Sequence, residues 1–297
     1  MTYAVEVKEL TKTYGNVNAV KGVSFNLEAD KIYGLLGRNG AGKTTIMHML
    51  TAQLFATSGD IHIFGEAPYE NNRALSQICF IKESQKYPDN YTIQDVLELS
   101  ASLFPNWDKA YADSLLKQFQ LPLKRRIKKL SRGMHSSVGI IVGLASRAPL
   151  TIFDEPYLGL DAVARSLFYD RLLEDYAEHP RTVILSTHLI DEVSRLLEHV
   201  IVVDNGSIIL NEDAEELRSA AYSVGGTAST VESFLSGKNV IAKQPFGALM
   251  NAAVMGQLTA EDRKKADASG LQLAPVPLQQ LVIYLTNGNL ESKEAVN

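Results

Sequence analysis

The chain has 297 residues, a net charge of −5, 45% hydrophobic residues and 21% charged residues. That length suits one large domain or two smaller ones, and the composition is that of a soluble globular chain with no basic excess pointing to nucleic acid. The single cysteine, Cys79, excludes an internal disulfide and fits a reducing compartment.

Tyr3, Val5 and Val7 alternate with polar residues, so Thr2 to Val7 reads as a strand. Charges at Glu6, Lys8 and Glu9 leave no apolar signal core. Tyr14-Gly15 marks a turn, and Val23, Phe25 and Leu27 alternate as a second strand. Lys31 to Leu36 reads as a third, short strand. It runs into Gly37-Arg38-Asn39-Gly40-Ala41-Gly42-Lys43-Thr44-Thr45, which fits the phosphate-binding pattern G-x-x-x-x-G-K-[ST]. Thr44 to Phe55 then reads as a helix carrying Ile46, Met47, Leu50 and Leu54. Strand, loop and helix together are the context that motif requires.

The chemistry explains the residue types. Backbone N–H groups wrap a triphosphate, so the loop must come close to it. Gly37, Gly40 and Gly42 carry no Cβ to block that approach and can take positive φ. The helix N-terminus adds free N–H groups and a positive dipole end. Lys43 is placed to reach the β- and γ-phosphates, and the Thr44 hydroxyl to ligate Mg²⁺.

Ile61, Ile63 and Phe64 form another short strand closed by Gly65, and Gln77 to Ile81 reads as a buried strand. Lys82 to Tyr91 is polar, with Pro88, Asp89 and Asn90, and reads as a loop. The pattern then turns helical up to Phe119. Thr92 can cap a helix carrying Val96, Leu97 and Leu99; Pro105-Asn106 breaks it, and a second helix carries Tyr111, Leu115, Leu116 and Phe119. A helical subdomain over about residues 84–148 is expected between the strands.

Lys124, Arg125, Arg126, Lys128 and Lys129 make a basic run, read as a solvated face or as a contact with a partner or acidic lipid headgroups. Leu130-Ser131-Arg132-Gly133-Met134 opens an apolar helix through Ile140, Ile141 and Leu144. Its run from Val138 to Ala145 is too short to span a bilayer. Leu150 to Phe153 is a buried strand ending in Asp154-Glu155-Pro156; Thr182 to Ser186 is another, followed by Thr187-His188. Val200 to Val203 and Ser207 to Leu210 flank the hairpin signal Asn205-Gly206. The alternation of strands and helices argues for a parallel central sheet, with an antiparallel sheet beside it.

In this order the motifs resemble those of the ATP-binding subunits of ABC transporters, over about residues 1–220. Gly37 to Thr45 resembles the Walker A loop and Leu150 to Glu155 the Walker B strand. The resemblance implies that Asp154 holds Mg²⁺ and that Glu155 polarises the attacking water as general base. Leu130 to Met134 resembles the signature motif LSGGQ, which contacts the γ-phosphate bound to the other subunit. Ser131 and Gly133 match it; Arg132 and Met134 depart from it.

His188 matches the switch histidine, Gly159-Leu160-Asp161 the D-loop, and Tyr14 the aromatic residue that stacks on adenine. Ile78 to Glu83 aligns with the Q-loop pattern, with Glu83 where Gln is expected and Gln85 as the alternative. The resemblance thus implies catalytic roles for Glu155, His188 and Lys43, and metal ligation by Thr44, Asp154 and Glu83. Nucleotide contacts are implied for Tyr14, for the whole loop from Gly37 to Thr45 including Arg38, Asn39 and Ala41, and for Glu83, Ser131, Gly133 and Asp161.

Residues 221–297 read as strand, helix, strand, strand, helix, strand and helix, an order that fits a small ferredoxin-like unit. They look similar to the C-terminal extension of some bacterial exporter ATPases of the drug- and peptide-resistance type. The fold implied is an α/β P-loop NTPase of the ABC ATPase type plus a small C-terminal α+β domain. The function implied is hydrolysis of MgATP between two subunits, homodimer or paralogue heterodimer. It would drive a separate integral membrane permease from the cytoplasmic face of the membrane, with no nucleic acid partner. A soluble ABC-type switch acting on nucleic acid or ribosomes would carry tandem domains or a long coiled-coil insertion. A P-loop kinase or GTPase would lack the signature and the switch histidine.

Overall fold

The computed structural model describes residues 2–83 and 85–294, with side chains up to Thr286. Met1, Ser84 and residues 295–297, at the edges of the expected segments, lie outside the described residues. The chain forms two compact units, Met1–His188 with Leu196–Ile208, and Leu189–Arg195 with Ile209–Asn297.

The first unit opens with β1 (Tyr3–Tyr14), β2 (Val17–Glu28), β3 (Ile32–Leu36), α1 (Lys43–Leu50) and β4 (Ser58–Ile63). Strands β2, β1 and β4 pair antiparallel in that order. β1 outruns the expected strand. Its register shifts after Val7, and Glu9 takes a left-handed φ of 49°, so the alternation stops although pairing resumes at Leu10. The expected turn joins β1 to β2, with Tyr14 opposite Val17.

The chain continues through α2 (Asn72–Leu75), β5 (Ile78–Ile81), α3 (Ile93–Leu103), α4 (Lys109–Gln118), α5 (Arg132–Ala145), β6 (Leu150–Asp154), α6 (Ala162–Glu178) and β7 (Thr182–Thr187). It then forms α7 (Ile190–Val193), β8 (His199–Asp204) and β9 (Ser207–Asp213). The central sheet runs β5-β6-β7-β3-β8-β9. β3, β6 and β7 are buried along their whole length, which is why they read as continuous apolar runs. They are parallel, with Leu36 opposite Thr187 and Asp154 opposite Ser186. The loops after these three strands therefore leave the same edge of the sheet.

Thr92 and Asp95 close a capping box at the start of α3. α6 was not legible in the apolar pattern. It buries only Phe168, Tyr169, Leu172 and Asp175. Asp175 accepts from Arg181 at 2.6 Å and pairs with Arg147 at 3.1 Å, so a buried charge is compensated on both oxygens.

The second unit contains α7, α8 (Ala214–Ser219), β10 (Ala221–Thr227), α9 (Ala228–Phe234), β11 (Asn239–Phe246), β12 (Leu249–Met255), α10 (Ala260–Ala268), β13 (Gln272–Pro275) and α11 (Leu278–Glu294). Its antiparallel sheet runs β11-β12-β10-β13, the ferredoxin-like order. Tyr222, Val224, Val231, Leu235, Val254 and Leu271 form its core. α11 packs on α7 and β11.

Candidate nucleotide site

The loop after β3 takes positive φ at Gly37 (145°), Gly40 (81°) and Gly42 (113°). A Cβ on Gly37 would sit 2.2 Å from the Val203 carbonyl oxygen, so a side chain there is excluded by space as well as by φ. Lys43 begins α1 and turns back into its own loop. Its ammonium donates to the carbonyls of Gly37 (2.8 Å) and Arg38 (3.2 Å) and lies 3.9 Å from Glu155 Oε1. Burial holds its pKa below the ordinary lysine value, while Glu155 and Asp154 pull it back up.

Asp154, at the end of β6, accepts from the Thr44 hydroxyl at 2.9 Å through one oxygen and from Ser186 Oγ at 2.6 Å through the other. Helix α1 on one side and the neighbouring strand β7 on the other thus fix its rotamer. Glu155 follows with a left-handed φ of 49°, its backbone N–H on Ser186 Oγ at 3.1 Å. That turn carries its side chain to His188, whose Nδ1 lies 2.9 Å from Glu155 Oε2. Tyr157 OH donates to the same Oε2. Glu155 Oε1 is buried with no hydrogen-bond partner.

Lys43, Thr44, Asp154, Glu155 and His188 line one cleft of about 420 Å³, together with Asn39, Gly40, Gly42, Thr45 and Glu83. Hard oxygen donors from Thr44 and Asp154, beside a buried ammonium and glycine N–H groups, fit a magnesium-bound polyphosphate.

A profile of the ABC transporter family matches residues 20–158. A second profile, of an AAA domain described as putative AbiEii toxin, type IV TA system, matches residues 123–194. The bacitracin transport ATP-binding protein BcrA of Enterococcus faecalis is 32% identical over 73% of this chain and 71% of its own. The chain belongs to the ABC transporter ATP-binding proteins. The corresponding protein of Bacillus licheniformis is 34% identical over 70% of this chain and 69% of its own. A solved ATP-binding subunit of an ABC transporter superposes with a TM-score of 0.66 at 27% identity, over 72% of this chain and 92% of that one. The chain is therefore an ATP-binding subunit of an ABC transporter with an ABC ATPase fold.

For such a subunit the residues singled out from sequence, Tyr14 apart, fall into three places. Lys43, Thr44, Thr45, Asn39, Gly40, Gly42, Asp154, Glu155, His188 and Glu83 share the cleft. Gly37, Arg38 and Ala41 support it from behind, as carbonyls for Lys43 and for the Gly206 N–H. Ser131, Gly133 and Asp161 line a second hollow of about 570 Å³. There Ser131 Oγ caps α5 and Asp161 caps α6. A Cβ on Gly133 would meet the Gly159 carbonyl oxygen at 2.5 Å, so the signature and D-loop segments touch only because both are glycine at that point.

Tyr14 stands apart at the end of β1, 49% exposed, with the Lys12 ammonium 5.1 Å from its ring centre. Gln85 is not among the residues lining the cleft; its N–H turns back to the Lys82 carbonyl at 3.2 Å. Sequence reasoning missed Ser186 and Tyr157. The available signal was proximity alone: Ser186 two residues before His188, Tyr157 two after Glu155.

Proposed function

We propose that the chain binds MgATP in this cleft and hydrolyses it, as one of two nucleotide-binding subunits that drive a separate membrane permease. The observation that carries hydrolysis is Glu155 Oε1, buried, 3.9 Å from Lys43 Nζ and without a hydrogen-bond donor. A buried carboxylate oxygen without a donor costs free energy unless something it can accept from arrives. An attacking water supplies that.

Lys43 and the loop N–H groups hold the phosphates. Thr44 and Asp154, with Glu83 across the cleft, would hold Mg²⁺, which supplies neutralisation of charge on the β- and γ-phosphate oxygens. Glu155 takes the proton of the attacking water, and His188 contacts its other oxygen. Ser131 and Gly133 open a helix N-terminus into a hollow of its own, which supports their service to nucleotide on a second subunit, identical or paralogous. Membership of the ABC transporter ATP-binding proteins supports peripheral placement on the cytoplasmic face through the permease; among the described residues no helix is long and apolar enough to cross a membrane. The likeness to the bacitracin transport ATP-binding proteins supports a peptide drug as the substrate class.

Glu155→Gln should keep ATP affinity, lose most hydrolysis and trap a dimer with ATP between the subunits, read by sedimentation. Full turnover by the purified variant would overturn the base assignment.

A further inference from the structure

Tyr157 lies in the segment between β6 and α6 and is 2% exposed. Its hydroxyl donates to Glu155 Oε2. It accepts from Thr187 Oγ1 at 3.0 Å and from the His188 backbone N–H at 3.1 Å. It also lies 3.0 Å from His188 Nδ1, and its ring meets the imidazole nearly edge-on with centroids 5.6 Å apart.

A phenol has one proton and two lone pairs. Thr187 and the His188 N–H take the lone pairs, and of the two acceptors within reach, Glu155 Oε2 and His188 Nδ1, the proton goes to the nearer, Glu155 Oε2. A protonated Nδ1 then also finds its acceptor in Oε2, at 2.9 Å. One carboxylate oxygen is thereby filled and the other, Oε1, is left on the side of Lys43 with nothing to accept from. Burial, and after it the bond to Glu155, raises the Tyr157 pKa well above the ordinary phenol value, so the donor keeps its proton across the physiological range.

We propose that Tyr157 is a positioning residue for hydrolysis: its hydroxyl anchors Glu155 Oε2 and so presents Oε1 to the attacking water. This rests on the reading of Glu155 as the base. In the step served, the water proton passes to Oε1. The water oxygen bonds the γ-phosphorus as the bond from that phosphorus to the bridging oxygen of ADP breaks, and the proton on Oε1 then leaves to the released phosphate or to solvent. Tyr157 exchanges no proton; it fixes the rotamer from which Glu155 acts.

Tyr157→Phe removes only the hydroxyl and keeps the ring. In the full-length protein, phosphate release should show kcat down by about tenfold or more, the scale of lost orientation. The KM for ATP should stay within about twofold, because Lys43 and the loop are untouched. The thermal midpoint should stay close to that of the parent. In a Glu155→Gln background the same change should do nothing further, since the group it positions is already gone. Unchanged kcat for Tyr157→Phe beside an inactive Glu155→Gln overturns the positioning role and leaves the base standing. So does an equal fall in both backgrounds. Full turnover by Glu155→Gln overturns the base reading itself. If Tyr157→Phe does not fold, a difluorinated tyrosine at this position keeps the shape and makes a stronger donor. A kcat that responds at constant KM then supports the proposal, and an unresponsive kcat overturns it.

Discussion

Arg132 and Glu83 are two positions where the chain departs from the family's motifs, and they meet: Arg132 Nη2 lies 3.2 Å from Glu83 Oε1. The side chains are 69% and 48% exposed, so the pair contributes about 0–1 kcal/mol to stability and screens readily. Its interest is placement. Glu83 lines the cleft with Asp154 and Lys43, whereas Gln85 does not. Glu83→Ala should therefore lower ATPase turnover by about fivefold or more, a loss of the size expected for one transition-state contact. Gln85→Ala should leave turnover within about twofold. The reverse ranking in a phosphate-release assay would move the Q-loop role to Gln85. Lys43, Thr44 and Asp154 were legible because each sits in a short motif whose spacing fixes its chemistry. Ser186 and the Arg132–Glu83 pair were not, because each acquires its role from a neighbour distant in sequence; Tyr157 sits two residues from Glu155, but the groups that aim its proton, Thr187 and the His188 N–H, are about 30 residues away. Asp154 and Ser186 come together only through the register of β6 on β7.

At the level of elements, the buried parallel strands were plain in the sequence as apolar runs, and the ends of longer elements were not. β1 is broken by its left-handed Glu9, and α6 carries apolar Val163 and Leu173 on its exposed face, which blurs its helical period. The seating of α5 on the sheet was hidden for another reason: it depends on glycine leaving room. Gly139 and Gly143 lie one turn apart on α5, where a Cβ would come 2.9 Å from Ile81 Cγ2 and 2.4 Å from Phe153 Cε1 respectively. Phe153 is fully buried and directly precedes Asp154, so it has nowhere to go without disturbing the cleft. Gly143→Ala gains about 1 kcal/mol of helix propensity. Overpacking against a ring at that distance costs about 1–3 kcal/mol. The net should be a loss of stability in denaturant unfolding, accompanied by weaker nucleotide binding. Gly225→Ala in β10, where the nearest atom would be 3.9 Å away, is the matched control and should be near neutral. Equal effects at the two sites would show that close packing of α5 is not what Gly143 provides.

The whole chain divides at His188. The cleft residues all belong to the first unit, while Leu189 to Arg195 belong to the second. α7 begins two residues after the histidine that touches Glu155, and α11 packs against it. Ile190 and Val193 of α7 are 5% and 1% exposed in the full chain. Ending the chain after Ala220 would strip α11 away and leave those two side chains with less cover. Each would then return to water apolar surface worth about 1.5–3 kcal/mol if fully exposed, enough to loosen a single helical turn but not a whole sheet. Nucleotide affinity should therefore stay within about threefold, since Lys43 and the loop do not depend on α7. Turnover should fall several-fold, as His188 loses the ordered segment that follows it. Titration with nucleotide, phosphate release and sedimentation of the truncated chain with and without ATP separate these effects. Turnover equal to that of the full chain would show that α7 holds its place without α11. Loss of nucleotide binding in a truncated chain that still folds would show that residues 221–297 belong to the nucleotide site, against the reading of that segment as an accessory to it.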